Sequence, residues 1–297
     1  MIMMFSACLT STDWEQKSSM PTPRSEMAVV YLGGKIYVPG GLGGTLLFEA
    51  YDVVKDTWES LASLPAGRHH LMTVAHNGRI YVFGGDDDNW NMSASAWTYE
   101  TTTNQWKAIA TMPEPRYAGA AVVLGDYVYA AGGNGPSANL LRYDPTQNAW
   151  SILAPMRRRR DHNSAVVFQD KIVVIGGRYR DTGELNSVEV YDVRTNSWSD
   201  GPPLNTARAG HGTAVHDGKI IVMGGEVFTG GTKTLADSEV LASLSGQWER
   251  GPAMPGALHG VPLASTGDDL YILGGSERAG AVVNRGRVFR FSPAKTL

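Results

Sequence analysis

The chain has 297 residues, 42% of them hydrophobic and 19% charged, the balance of a globular protein. No apolar run approaches the roughly eighteen residues needed to cross a bilayer as a helix. Lys plus Arg number 26 against 29 Asp plus Glu, a net charge of -3, so no global field draws the chain to nucleic acid or anionic lipid.

The single cysteine, Cys8, excludes an internal disulfide and any metal site needing two thiolates. It closes the stretch MIMMFSAC, in which Ser6 and Ala7 before the cysteine look like the cleavage end of a bacterial lipoprotein signal. The stretch is short and lacks a basic leader. Residues 1–12 are therefore expected to be a disordered tail or the remnant of such a signal. Location leans weakly to the bacterial envelope or export, and otherwise to the cytoplasm.

From residue 13 onward the chain repeats. Trp14, Trp58, Trp106, Trp150, Trp198 and Trp248 recur at intervals of 44 to 50 residues, a period that points to propeller blades. A glycine pair begins 26 residues after each tryptophan, from Gly40-Gly41 to Gly274-Gly275. Arg24, Arg68, Arg116, Arg160 and Arg208 follow the tryptophan by ten residues, and Leu258 takes that place in the sixth unit. Tyr51, Tyr99, Tyr143 and Tyr191 precede the next tryptophan by seven, with Leu241 in the fifth unit. The 35 glycines, an excess without collagen period, announce tight turns and close backbone approach.

Each unit reads as four strands. Ala28 to Leu32 opens the first, Lys35-Ile36-Tyr37-Val38 is a buried β-branched and aromatic run bounded by glycine, and the tyrosine and tryptophan segments complete it. No stretch keeps helical periodicity over three turns. The C-terminal unit ends at Arg287 to Phe291 without a tryptophan strand, and the chain begins with one, Trp14-Glu15-Gln16. Residues 13–20 are expected to complete the last blade of one domain spanning 13–297, with blades starting near 24, 68, 116, 160, 208 and 258.

The paired glycines, spaced tyrosine and tryptophan, and arginine opening the next unit resemble the kelch repeat, from Trp14 to the C-terminus. The resemblance implies an all-β, six-bladed kelch-type β-propeller of four antiparallel strands per blade, similar to the central domain of galactose oxidase, with ligands taken on the loop face around a central funnel. A monomer without a cofactor is expected. Arg24, Arg68, Arg116, Arg160 and Arg208 are candidate ligand contacts forming a positive funnel, or else they bond the carbonyls of their own turns. The run Arg157 to Arg160, with Arg178 and Arg180 in the neighbouring loop, is a further basic patch. The loop Asp86-Asp87-Asp88-Asn89-Trp90-Asn91 has the wrong spacing for a calcium loop; Asp87 and Trp90 are read as ligand contacts, Trp90 stacking on a sugar or anchoring a protein. His69, His70, His162, His211 and His259 follow the arginine position, and no metal site is assigned to them.

Two functions from different classes follow. One is a non-catalytic propeller that binds a protein segment or a glycan, possibly anionic. The other is an enzyme. Copper radical oxidases resembling galactose oxidase need a cysteine crosslinked to tyrosine, which Cys8 in the tail does not supply. Bacterial sialic acid mutarotases are similar free-standing kelch propellers in which a glutamate follows a double glycine and an arginine stands six residues on. Here Glu226 follows Gly224-Gly225, with Thr232 in the sixth place and Lys233 next. That resemblance implies Glu226 or His211 as general acid and base opening the ring of an acidic sugar.

Overall fold

The computed structural model describes residues 14–180, 183–280, 282 and 284–292; the segment ending at Cys8 lies outside them. The described residues contain no α-helix. They form six four-stranded antiparallel sheets and one additional two-stranded hairpin, Glu226–Val227 with Lys233–Thr234. Blade 1 runs through Val30–Leu32, Lys35–Pro39, Phe48–Asp52 and Thr57–Ser60. The first, axial strands of blades 2 to 5 are Met72–His76, Tyr117–Leu124, Ser164–Phe168 and Gly212–His216.

Blade 6 is made from both ends of the chain. Leu263–Ser265, Leu270–Leu273 and Val288–Phe291 supply three strands, and Trp14–Lys17 supplies the fourth. Trp14 pairs with Phe291 and Lys17 with Val288, and the Trp14 and Phe291 rings lie 5.1 Å apart. Phe291 thus holds the place that tyrosine holds beside tryptophan in blades 1 to 4, where the ring separations are 5.0 to 5.2 Å.

The hydrophobic core is not inside a blade but between blades. Six clusters occur, and each draws on two neighbouring sheets; Ile36 and Val38 of blade 1 pack with Tyr271, Leu273 and Val288 of blade 6, for example. A single blade has two apolar faces to bury, so only a closed ring removes both from water.

Three circular sets of hydrogen bonds hold the ring, and they explain the spacing of the repeat. At the periphery each indole donates to a carbonyl of the preceding blade: Trp58 to Ser18, Trp106 to Ala62, Trp150 to Ala110, Trp198 to Ala154, Trp248 to Pro202 and Trp14 to Ala253, at 2.8 to 2.9 Å. Midway, the second glycine of every pair donates its N–H to the carbonyl at the arginine position of the following blade, from Gly41 to Arg68 round to Gly275 to Arg24, at 2.8 to 3.0 Å. A Cβ at Gly40, Gly84 or Gly274 would collide with the same carbonyl oxygens, so glycine is required there for close approach.

The arginine side chains act within this scaffold. Arg24, Arg116, Arg160 and Arg208 are at most 1% exposed. Each donates to the carbonyl of the first paired glycine of its blade, Gly40, Gly132, Gly176 or Gly224, and each forms an ion pair: with Glu49 at 2.5 Å, Glu114 at 2.7 Å, Glu189 at 2.6 Å, and Asp237 and Glu239 at 2.7 and 3.0 Å. Glu189 in turn accepts the N–H groups of Arg157 and Arg158. Arg68 differs, bonding Gly67 and Ser93 and lying over the Trp97 ring. The expected positive funnel of five arginines is therefore corrected: four are sealed inside the blades by carboxylates.

Removing one member of a buried pair leaves an uncompensated charge. Arg160→Ala is expected to lower stability to urea by about 3–5 kcal/mol, against about 1 kcal/mol for Arg68→Ala, which strands no carboxylate. Equal losses would show that the ion pair is not what matters. Deleting residues 13–20 is expected to abolish cooperative unfolding, because Phe291 and Val288 then lose their outer partner strand; an unchanged unfolding midpoint would contradict the closure.

Candidate functional site

The third circle of hydrogen bonds surrounds the axis. Glu26, His70, Ala118, His162, Gly210 and Gly260 each stand two residues after the arginine position, and each donates its N–H to the carbonyl of its neighbour in the preceding blade, closing a girdle of six bonds at 2.7 to 3.1 Å. All six have φ between 50° and 61°. Non-glycine residues occupy this left-handed region at a cost, and here the girdle imposes it. Below the girdle an axial cavity of about 180 Å³ continues between the first strands.

Above it, the residue after each glycine pair faces the residue before the girdle across a short bridge: Leu42 opposite Ser25, Asp86 opposite His69, Asn134 opposite Tyr117, Arg178 opposite Asp161, Glu226 opposite Ala209 and Ser276 opposite His259. These two tiers and the girdle place side chains from every blade at one mouth. Arg178 pairs with Glu226 through Nη1, lies 3.3 Å from His162 Nε2 through Nη2, and packs over the Phe228 ring. Glu226 also accepts the Gly280 N–H at 2.9 Å. His259 donates from Nε2 to the Arg278 carbonyl at 2.9 Å, and its Nδ1 lies 3.2 Å from Glu26 and 3.3 Å from Glu226.

The charge states follow from these neighbours. Burial works against protonation of His259, but Glu26 and Glu226 raise its pKa above the ordinary value. Burial pushes His70 down to about 3, so it is neutral at pH 7. Burial disfavours the Glu26 carboxylate, yet the surrounding imidazoles hold it well below the usual range.

The remaining expected residues are sorted by the structure. Trp90 is 58% exposed and packs edge-on against His69 at 4.6 Å, at the rim. Asp87 caps its own loop, accepting from the Asn89 and Asn91 backbones and the Asn91 amide, which occupies the carboxylate expected to meet ligand. Arg180 lies over Tyr179. Arg157 and Arg158 pair with Asp200, and Arg159 bonds the Gly135 carbonyl, so the basic run is largely engaged. His211 is buried in the wall of the axial cavity, with Nε2 2.9 Å from Ser164 Oγ; burial lowers its pKa to about 3.

Glu26, Asp86, Asp161, Tyr117 and Phe228 were not singled out from the sequence as site residues. Aligning the six units at arginine would have exposed Glu26, since it stands in the column that carries His70 and His162.

The six sheets define a six-bladed propeller with a polar axial mouth. The chain belongs to the kelch-repeat family: the family model described as the KLHDC2/KLHL20/DRC7 Kelch-repeats domain matches residues 3–159 and 134–295. No curated protein sequence matches the chain. Among solved structures, the one titled "Structure of YjhT" is similar at a TM-score of 0.79 and 19% identity, over 91% of this chain and 96% of that one, a likeness that speaks to the fold.

Asp86 offers a test of the mouth's electrostatics. It is fully buried, and neither carboxylate oxygen has a hydrogen-bond partner among the described residues. Burial, with Asp87 beside it, raises its pKa to about 6 against the pull of Arg68 and His162. An unfolded aspartate ionises near pH 4, so the folded state holds the extra proton between about pH 4 and 6 and stability falls as pH rises through that window. Asp86→Asn is expected to stabilise the protein at pH 7–8 by up to about 3 kcal/mol and to change nothing below about pH 4. Urea unfolding across pH reads this; a gain independent of pH would refute it.

Proposed function

We propose that the protein is a carbohydrate-binding propeller that takes an acidic sugar at the axial mouth. The observation that carries the reading is the convergence of Arg178, Glu226, His259 and His162 at the axis, with the exposed indole of Trp90 against His69 and His70 at the rim. Arg178 supplies a planar donor suited to a carboxylate. Trp90 supplies an apolar face that covers a sugar ring, while the carboxylates and imidazoles accept and donate to hydroxyls.

The second reading, catalysis of anomer exchange, is favoured by one observation: His259 Nδ1 stands between two carboxylates, 3.2 Å from Glu26 and 3.3 Å from Glu226. A sugar ring opens when one group protonates the ring oxygen and another removes the anomeric hydroxyl proton. Glu226 and His259 supply that pair. His211 does not join it, since it bonds Ser164 in the cavity wall.

Saturation-transfer NMR against acidic and neutral sugars, with a peptide library alongside, tests the binding reading. Arg178→Ala is expected to weaken the acidic sugar at least tenfold, and Trp90→Ala at least fivefold, roughly 1 kcal/mol. Capture of peptides alone, or affinities indifferent to Arg178, would reject it. Acceleration of anomer exchange that Glu226→Gln abolishes would establish the catalytic reading; no acceleration by the wild type would leave binding alone.

A further inference from the structure

We infer that Glu26, His70 and His162 form a binding site for a divalent first-row transition metal at the axial girdle. One ligand atom from each lies within 4.8 Å of the other two, and the three side chains are only 4 to 11% exposed. They come from blades 1, 2 and 4, yet the girdle gives them one backbone conformation and aims them at one point.

The hydrogen bonds of the outer nitrogens fix which atoms face inward. His69 Nε2 donates to the Asp87 carbonyl at 3.0 Å. Neutral His69 therefore presents a lone pair at Nδ1, and His70 Nδ1, 2.6 Å away, must carry the hydrogen. That leaves His70 Nε2 as a lone pair, 3.4 Å from Glu26 Oε2. Two acceptors confront one another with no donor between them among the described residues, which is the arrangement a cation relieves. His162 is set in the same way: Nδ1 donates to Asp161 at 2.6 Å, the carboxylate–histidine arrangement that orients metal-ligating imidazoles, and Nε2 is turned inward as an acceptor.

Arg178 Nη2 lies 3.3 Å from His162 Nε2, and His259 Nδ1 lies 3.2 Å from the other oxygen of Glu26. Arg178 keeps Glu226 through its other nitrogen, so releasing His162 does not strand it. Glu26, Asp161 and Glu226 outnumber the basic groups among them, the Arg178 guanidinium and the His259 imidazole, which favours an added positive charge. A donor set of two imidazoles and one carboxylate suits Zn²⁺ and its first-row neighbours rather than Ca²⁺ or Mg²⁺. With donors about 2.0–2.2 Å from Zn²⁺, binding draws the three side chains together by about an ångström, and the remaining coordination position opens toward the mouth.

The inference goes beyond the carbohydrate reading and does not depend on it, because the test contains no sugar. Chelator-stripped full-length protein is titrated with Zn²⁺ by calorimetry and with Co²⁺ by visible absorption. The expected result is one saturable Zn²⁺ per chain and Co²⁺ ligand-field bands. Glu26→Gln, His70→Ala and His162→Ala are each expected to weaken binding at least tenfold, and Asp161→Asn roughly ten- to a hundredfold. His76→Ala, at the far end of its strand, leaves binding unchanged. Where a ligand variant unfolds, the Co²⁺ spectrum of the wild type and the Asp161→Asn shift decide. No saturable uptake by the wild type, or affinity undiminished in the folded variants, overturns the site.

Discussion

The hydrogen bond from a paired glycine to the carbonyl ten residues past the following tryptophan is the constraint on which the molecule rests. It joins every blade to the next at a distance that admits no side chain, and it is made by backbone alone. The carbonyl therefore serves equally when it belongs to Leu258 as when it belongs to an arginine. With that seam fixed, the tryptophan at the periphery and the girdle residue at the axis have no freedom of register. The constant 26-residue offset from tryptophan to glycine pair is the trace of this geometry, because inserting a residue between them would break two circles at once. Length varies only beyond the glycine pair, in loops that no seam restrains.

The arginine side chain shows how one structural place accepts different chemistry. Its partner is the residue two before the tyrosine position. In blades 1, 4 and 5 that residue is Glu49, Glu189 or Glu239, and the result is an ion pair. In blade 2 it is Trp97, and the arginine stacks on the ring. In blade 3 it is Leu141, and Glu114 supplies the charge from the arginine's own turn. In blade 6 arginine is replaced by Leu258 and the partner is Phe289, both lining a cavity of about 170 Å³. For these arginines charge is compensated wherever it is buried, as the cost of an unpaired ion demands.

This covariation marks the boundary of what the sequence discloses. Trp14, the glycine pairs and the alternating strands were legible because each is fixed by contacts that repeat, so six copies reinforce one reading. The closure by Trp14–Lys17 was legible for the same reason, as one strand in surplus and one in deficit. For the arginines the sequence left a ligand funnel and backbone carbonyls as alternatives, because in blades 1, 4 and 5 their burial depends on a glutamate 25 to 31 residues away. The partner was visible as a column, but not as a contact. Glu26 and Asp161 were missed because the residue type at their positions changes from blade to blade, so that only a column-by-column comparison of the six units brings them out. Asp87 looked like the exposed acid, and the structure gives it to its own turn while burying Asp86.

The mouth is asymmetric although its frame is not. Around the girdle the order is Glu26, His70, Ala118, His162, Gly210, Gly260, and the backbone bonds are alike at all six. Ala118 lets the His70 and His162 rings meet across it, 5.0 Å apart and edge to face. Gly260 leaves room for the Glu26 carboxylate, which a Cβ at that position would strike. With Gly210 also bare, the sector between His162 and Glu26 is where Arg178, Glu226 and His259 descend from the loops. Left-handed backbone is cheap for glycine and costly for glutamate and histidine. Retaining it at Glu26, His70 and His162 therefore spends stability on side chains that the fold does not need, and the small residues between them let three blades place those groups at one point on the axis.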